Sequence, residues 1–338
     1  MTRSCAFSVT ALFVSSLSAL AADPPYPPMP ERLGALTRPP ARLADDFGSY
    51  KTPLRFVDGR PVTTPEQWRK RRQEILKTWH GFMGPWPDLV ARPRIEYLGK
   101  ERREGVTQHH VRVETAPGRL TDDAYLLVPD GEGPFPAVLV VFYEAGTGIG
   151  RGKSPRRDFA WQLARRGFVA LSLGGAPETY YPNREEARLQ PLSFHAYEAA
   201  NMHTLLASLP QVDARRIGVV GHSYGGKWAL FASCLHEPFA CAAWSDPGIV
   251  FDESRGNVNY WDRWYLGHEA GPPRPQGGPP KVARTGAYKK LVEGGHDLHE
   301  LHALMAPRPF LVSGGSEDPP ERWQALNHAR AVNRLLGH

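Results

Sequence analysis

The chain has 338 residues, of which 41% are hydrophobic and 22% are charged, and its formal net charge is +6. This length and composition are ordinary for a globular protein with one large domain, or one domain and an extension. The basic residues are scattered, and no recognisable nucleic-acid-binding module accompanies them. We therefore expect no nucleic-acid partner.

The N-terminus has the pattern of a secretory signal peptide. In residues 1–22, Arg3 precedes an apolar run from Ala6 to Leu20, and an A-x-A cleavage site follows. The run is short for a membrane span, and no later run is long enough for one. The pattern predicts a secreted or periplasmic protein. After cleavage only Cys234 and Cys241 remain; they could pair there, but two buried thiols are the expectation.

Residues 23–93 are predicted to form an N-terminal extension with one amphipathic helix. Thr64 is a helix-capping residue, Pro65 suits the first helical position, and Gln67 completes a capping box. Apolar side chains then fall on one helical face. They are Trp68, Ile75, Leu76 and Trp79.

From residue 94 to 338 the pattern predicts an α/β domain. Three strand-like segments open it as an antiparallel meander, and then apolar strands alternate with helices. Such alternation predicts a mostly parallel sheet covered by helices on both faces. An aromatic-, glycine- and proline-rich stretch, 247–295, interrupts the series and is expected to form a lid-like insertion.

A G-x-S-x-G motif places a candidate nucleophile at Ser223. It follows the apolar strand Ile217 to Val220 and precedes the helix-like run GKWALFASCL. A serine on such a sharp strand-to-helix turn is exposed for attack on an acyl carbon. A tight turn that merely needs small residues would also use the three glycines at 221, 225 and 226.

The nucleophile needs an acid, a base and an oxyanion hole. Asp318 follows a late strand and is the preferred acid, although a helix-start role is also consistent with its position. Asp246, at the end of the preceding strand, is the alternative. The backbone N–H of Tyr224 and a second one after the 137–143 strand would hold the oxyanion; Tyr143, Glu144 and Ala145 are the candidates for the second, with Glu144 preferred.

Two other chemistries are weakly indicated. The stretch GTGIGRGKS departs from a phosphate-binding loop, because Thr147 stands where its first glycine belongs. His296, His299 and His302 are spaced by three, which spreads their rings around a helix instead of gathering them on zinc. We expect a short helix with packed histidines, no metal site and no cofactor.

With these motifs, residues from about 95 onward resemble the α/β-hydrolase superfamily. VDARRIGVVGHSYGGKWAL is similar to secreted carbohydrate esterases and to the prolyl oligopeptidase family, and LHALMAPRPFLVSGGSED to glucuronoyl and acetyl xylan esterase-like enzymes. Lys227 matches a lysine that glucuronoyl esterases keep four residues after the serine, so the resemblance implies a role in substrate binding. Those enzymes have arginine at the position of Tyr224.

The order of catalytic residues in this superfamily is serine, acid, histidine. The histidine follows a strand after the last helix, which here ends near Leu336, so the chain is expected to be truncated relative to its family. Among the histidines present, His299 and His338 are weak candidates for the base. The 338-residue chain is then expected to have little activity.

The resemblance implies a serine carboxylesterase acting on esterified polysaccharides. Trp261 and Trp264 of the insertion suit stacking on sugar rings, although burial in the core of a lid is an equal alternative. A prolyl oligopeptidase-like peptidase and a non-catalytic carbohydrate-binding relative remain alternatives. The sequence does not indicate an oligomeric state.

Overall fold

The computed structural model describes residues 31–152, 156–176, 179–269 and 283–338. The chain divides into two units, Met1–Arg38 and Pro39–His338. The described part of the first unit contains helix α1 (Glu31–Gly34) and a turn of 3-10 helix, Ala35–Thr37. The predicted signal peptide, residues 1–22, lies outside the described residues.

Helix α2 (Pro65–Met83) forms where the capping signals predict it. The Thr64 hydroxyl accepts the Gln67 N–H at 3.2 Å, and the Gln67 side chain accepts the Thr64 N–H at 3.2 Å. Trp68, Ile75 and Trp79 are buried in the core of the second unit. The predicted capping box is confirmed.

One sheet organises the second unit. Its strands are β1 (Ile95–Arg103), β2 (Val106–Ala116), β3 (Arg119–Leu120), β4 (Ala124–Pro129), β5 (Phe135–Phe142), β6 (Val169–Gly174), β7 (Val212–His222), β8 (Cys241–Ser245) and β9 (Phe310–Ser313). The order is β1-β2-β4-β6-β5-β7-β8-β9, with β3 beside β2. β1, β2 and β4 are antiparallel, as predicted, whereas β6, β5, β7, β8 and β9 are parallel.

Helices cover both faces of this sheet. Beyond α2 they are α3 (Ala145–Gly148), α4 (Phe159–Ala164), α5 (Pro191–Ser208), α6 (Tyr224–Leu235), α7 (Gly286–Glu293), α8 (His299–Met305) and α9 (Trp323–Leu335). Leu139 and Val141 of β5 pack in the larger core with α2, α5 and α6, while Val138 and Val140 pack with α4. Burial on both faces explains why the parallel strands are continuously apolar. The predicted fold class is confirmed.

Some details differ from the sequence-based expectations. The sequence run DFAWQLARRG predicts a helix that ends at Gly167, but helix α4 ends at Ala164 and a turn with φ +86° at Gly167 follows it. Cys234 is buried as expected, but Cys241 is exposed at the first residue of β8, so the expectation of two buried thiols was wrong there. Within the described ranges, no helix is long and apolar enough to cross a membrane.

The capping box of α2 gives a stability prediction. Replacing Thr64 with Ala removes the acceptor for the Gln67 N–H and should lower the free energy of unfolding by about 1 kcal/mol. Thr64→Ser keeps the hydroxyl and is the matched control. Denaturant unfolding of both variants measures the effect, and an equal loss in the two would contradict a role for the hydroxyl.

Candidate active site

Ser223 lies on a sharp turn between β7 and α6. Its backbone has φ +54° and ψ −112°, a region that non-glycine residues seldom adopt. The Ser223 N–H donates to Ser245 O at 2.8 Å, which ties the turn to the end of β8. The Ser223 hydroxyl has no hydrogen-bond partner among the described residues. This strained turn is the geometry expected of a nucleophile elbow, and the role of Ser223 as nucleophile stays a prediction.

The glycines around Ser223 are required by close backbone contacts. A Cβ atom on Gly221 would lie 2.1 Å from Gly225 O, and one on Gly225 would lie 2.0 Å from Val141 O. Both distances are far below van der Waals contact. The motif therefore lets β7, β5 and the first turn of α6 approach one another more closely than larger residues allow.

The loop after β5 meets the first turn of α6 beside the elbow. The rings of Tyr143 and Tyr224 stack with centroids 4.2 Å apart. Glu144 is exposed and precedes α3, while Tyr224 begins α6 directly after the serine. The structure thus brings together the two segments predicted to supply the oxyanion donors.

Asp318 is buried and contacts the first residues of the insertion. Its Oδ1 accepts the Ile249 N–H at 2.6 Å and its Oδ2 accepts the Gly248 N–H at 3.0 Å. Burial raises the pKa of Asp318, and the two backbone N–H groups oppose this rise. The residue follows β9, the strand at the edge of the described sheet, two strands from β7.

Asp246, the alternative acid, directly follows β8 and has a left-handed backbone with φ +50°. Its Oδ1 accepts the Glu317 N–H at 2.9 Å. A Cβ atom on Gly315 would lie 2.4 Å from the Asp246 carboxyl carbon, so this glycine makes room for the carboxylate. Both candidate acids therefore lie at the carboxyl ends of neighbouring strands, and their roles stay predictions.

Lys227 is fully buried in α6, under the start of the insertion. Its ammonium group donates to Pro247 O and, at 3.2 Å, to Asn257 O, and it lies 4.7 Å from the Tyr260 ring centroid. Burial lowers the pKa of Lys227 to about 8, although the charge of Asp318 opposes the shift. These contacts hold the insertion; the predicted role of Lys227 in substrate binding stays a prediction.

The two candidate histidine bases occupy other environments. His299 Nε2 lies 2.7 Å from Lys51 O, its ring packs on Tyr50 and His328, and burial lowers its pKa to about 4. His338 is exposed after α9. In the described ranges, no histidine ring is hydrogen-bonded to Ser223 or Asp318.

The spaced histidines before β9 pack as predicted. His299 and His302 lie in α8, and His296 Nδ1 lies 2.9 Å from Glu300 Oε2. Burial lowers the pKa of His302 to about 3. The described residues contain no group of three or more His, Cys, Asp or Glu side chains arranged to hold a metal ion.

The two tryptophans of the insertion are both partly exposed, in different surroundings. Trp261 lies edge-on to Tyr288 of α7, at 6.0 Å between centroids. Trp264 lies 6.1 Å from Tyr265, whose ring is 5.9 Å from that of Tyr224. Trp264 is therefore linked through one aromatic ring to the residue after the serine.

Sequence reasoning missed a buried contact behind the elbow. His195 and Glu198 of α5 form a hydrogen-bonded chain with the Tyr224 hydroxyl. The spacing of three residues on one helix was the available signal. This spacing does not stand out in the sequence, because the run FHAYEAANMHTLLASL has the apolar character of an ordinary core helix.

The buried ammonium of Lys227 gives a pH prediction. Its folded-state pKa of about 8 lies below its ordinary value of 10.5, so between these values the unfolded chain binds more protons than the folded chain. The contribution of Lys227 to stability should therefore rise from pH 8 to pH 10.5.

Denaturant unfolding at pH 7.5, 9 and 10.5 tests this in the native chain and in Lys227→Met. The difference in unfolding free energy between the two should change in favour of the native chain as the pH rises. Lys289→Met, at an exposed lysine of α7, is the control and should give a constant difference. A constant difference for Lys227→Met as well would contradict the prediction.

No protein-family model matches the chain. A curated carbohydrate esterase from an unknown prokaryotic organism is 22% identical over 352 aligned positions, which cover 84% of this chain and 78% of that protein. A glucuronoyl esterase from Solibacter usitatus superposes with a TM-score of 0.65 at 20% identity, covering 86% of each chain. A promiscuous esterase of carbohydrate esterase family 15, from a marine bacterial metagenome, gives 0.62 at 20% identity, covering 87% of each.

These similarities and the strand order agree on the architecture. A mostly parallel sheet carries the serine between its strand β7 and helix α6, as the sequence motif predicted. The chain therefore has the α/β-hydrolase fold, and the enzymes that it resembles are carbohydrate esterases, as its sequence predicted.

Proposed function

We propose that this protein is a serine ester hydrolase that acts on esterified polysaccharides. The strained backbone of Ser223 carries the proposal, because a φ of +54° at a non-glycine residue persists only where the surroundings enforce it. The hydroxyl is left without a partner in the described structure, at the carboxyl end of β7. Ser223 Oγ gives its proton to a base and attacks the acyl carbon; the ester C–O bond breaks, and the alcohol leaves with that proton. Water then hydrolyses the acyl-enzyme, which releases the carboxylic acid and restores the serine hydroxyl.

Tyr224 supplies its backbone N–H to the oxyanion. Its hydroxyl lies 2.6 Å from His195 Nε2 in the core, so the side chain is engaged away from the serine. The second donor comes from the loop that carries Glu144, whose neighbour Tyr143 stacks on Tyr224. The developing negative charge is therefore held by backbone N–H groups.

Asp318 orients a histidine base in this proposal. Its two oxygens accept the Gly248 and Ile249 N–H groups, and a carboxylate has further lone pairs for an imidazole N–H. Which histidine acts as the base stays a prediction: in the described structure His299 is bonded to Lys51 O, and no histidine ring is hydrogen-bonded to Ser223 or Asp318.

Polysaccharide esters are the proposed substrates. The support is the similarity to carbohydrate esterases and the partly exposed Trp264, which lies next to Tyr265 and suits stacking on a sugar ring. Export through the predicted signal peptide, residues 1–22, is part of the same proposal. A non-catalytic carbohydrate-binding role is the second candidate, favoured by the lack of a described histidine bonded to Ser223.

Because no described histidine is bonded to Ser223, we expect a soluble base to speed the reaction of this serine. The 338-residue chain should react slowly with a fluorophosphonate probe, since a serine without a base keeps its proton. Added imidazole should speed labelling severalfold or more, and Ser223→Ala should abolish labelling with or without imidazole.

The control is 1-methylpyrazole, which is similar in size to imidazole but a much weaker base. Fast, stoichiometric labelling without imidazole would contradict the missing base; His299→Gln and His338→Gln would then identify the histidine in use. Absence of labelling under every condition would favour the non-catalytic alternative.

The choice of acid gives a second prediction. In a chain extended by a C-terminal strand and histidine from a longer relative, Asp318→Asn should reduce kcat for an aryl acetate by about 10⁴, as a misoriented base does. Asp246→Asn is the matched control, because its carboxylate also accepts a backbone N–H, and it should change kcat little. The reverse ranking would assign the acid to Asp246, and unfolding midpoints separate lost activity from lost folding.

A further inference from the structure

A buried chain of three side chains lies directly behind the elbow. His195 Nδ1 is 2.9 Å from Glu198 Oε2, and His195 Nε2 is 2.6 Å from the Tyr224 hydroxyl. The Thr115 hydroxyl donates to the other Glu198 oxygen at 2.9 Å. His195 is 0% and Tyr224 1% exposed, so neither ring is open to a substrate.

The chemistry of these groups fixes where the protons lie. A carboxylate only accepts hydrogen bonds, so the His195 Nδ1 atom facing Glu198 carries a proton and donates it. If the imidazole is neutral, Nε2 is then an acceptor, and the Tyr224 hydroxyl donates its one proton to it at 2.6 Å, the shorter of its two contacts; the other is Ala176 O at 3.4 Å. Burial raises the pKa of Tyr224 well above its ordinary value, which keeps the hydroxyl protonated and able to donate.

Further contacts between α5 and α6 hold this hydrogen-bonded group of side chains in place. His195 and Glu198 lie on α5, and the Trp228 indole N–H of α6 donates to His195 O. The His195 and Trp228 rings pack at 4.6 Å between centroids. The hydrogen-bonded chain therefore joins α5 to the first turn of α6, one residue after the nucleophile.

The position of Tyr224 makes this contact relevant to catalysis. The backbone N–H groups of the first turn of a helix have no partner within the helix, and the proposed function uses the N–H of Tyr224 for the oxyanion. The Tyr224 ring is held between His195 at its hydroxyl and Tyr143 on its face. Since the ring and the N–H share one Cα atom, a firmly held ring adds to the backbone contacts that limit movement of the N–H.

We propose that Glu198 and His195 are positioning residues for the oxyanion hole: Glu198 fixes the proton on His195 Nδ1, and His195 Nε2 fixes Tyr224. The inference rests on the proposed function, since it assigns these residues to the same site. It adds two residues that contact neither the serine nor the substrate.

Two substitutions at His195 separate positioning from packing. The polar end of Asn lies near the place of Nδ1 and that of Gln near the place of Nε2. His195→Gln can therefore still accept from the Tyr224 hydroxyl, whereas His195→Asn cannot. Both remove the ring that packs on Trp228, and each also removes one hydrogen bond, to Tyr224 in the Asn variant and to Glu198 in the Gln variant, so both should lower stability.

The kinetic readout is the rate at which the full chain hydrolyses an aryl acetate, and each variant is compared with the basal rate of the native chain. His195→Asn and Tyr224→Phe should each lower kcat at least tenfold with little change in KM, because the oxyanion interaction forms in the transition state. His195→Gln should retain most of kcat. The double variant His195→Asn/Tyr224→Phe should be no slower than either single variant, since both break the same link.

A second readout does not need turnover. The amide ¹H–¹⁵N signal of Tyr224 should shift in His195→Asn and stay near its native position in His195→Gln. Equal kcat and equal Tyr224 signals in the Asn and Gln variants would overturn the inference and leave His195 as a packing residue only. Hydrolysis that survives Ser223→Ala would instead overturn the proposed function, while the amide signals would still decide the role of His195.

Discussion

The backbone conformation of Ser223 is the constraint on which this site depends. A non-glycine residue at φ +54° costs of the order of 1–3 kcal/mol, and the turn persists because its neighbours hold it. The Ser223 N–H is bound by Ser245 O, and Gly221 and Gly225 let the backbones of β7, α6 and β5 come into close contact. The strain is therefore offset by contacts from three strands of a rigid, buried sheet.

Two charged groups near Ser223, the Asp318 carboxylate and the Lys227 ammonium, stabilise each other. Asp318 accepts the N–H groups of Gly248 and Ile249, while the Lys227 ammonium donates to Pro247 O and Asn257 O. Each buried charge attracts the other, and both act on the same few residues at the start of the insertion. The first residues of the insertion are thus fixed by a candidate acid and by the lysine of the elbow helix.

The sequence was sufficient for the features that depend on local pattern. The capping residues around Thr64 located α2, the alternation of apolar strands and helices gave the sheet, and the G-x-S-x-G motif located the turn at Ser223. Each of these signals lies within a few residues of the structure that it predicts. Hydrophobic periodicity and turn chemistry act at that range.

Features that depend on long-range contacts could not be obtained in the same way. Lys227 resembles a substrate-binding lysine in sequence, but its surroundings are built by carbonyl groups 20 and 30 residues further along the chain. Asp246 and Asp318 have equivalent local patterns, since each follows a parallel strand. Their surroundings in the fold distinguish them: Asp246 has a left-handed backbone and accepts the Glu317 N–H, whereas Asp318 is buried and accepts two N–H groups of the insertion.

The contact between His195 and Tyr224 joins residues that are 29 positions apart, so no local pattern reports it. The contact determines which groups of Tyr224 are available to a substrate. In the proposed function, a side chain engaged with His195 in the core leaves the backbone N–H for the oxyanion, and the held ring adds to the backbone contacts that fix its direction. In the proposed site, the three side chains that link α5 to α6 would therefore also support the geometry of the oxyanion hole.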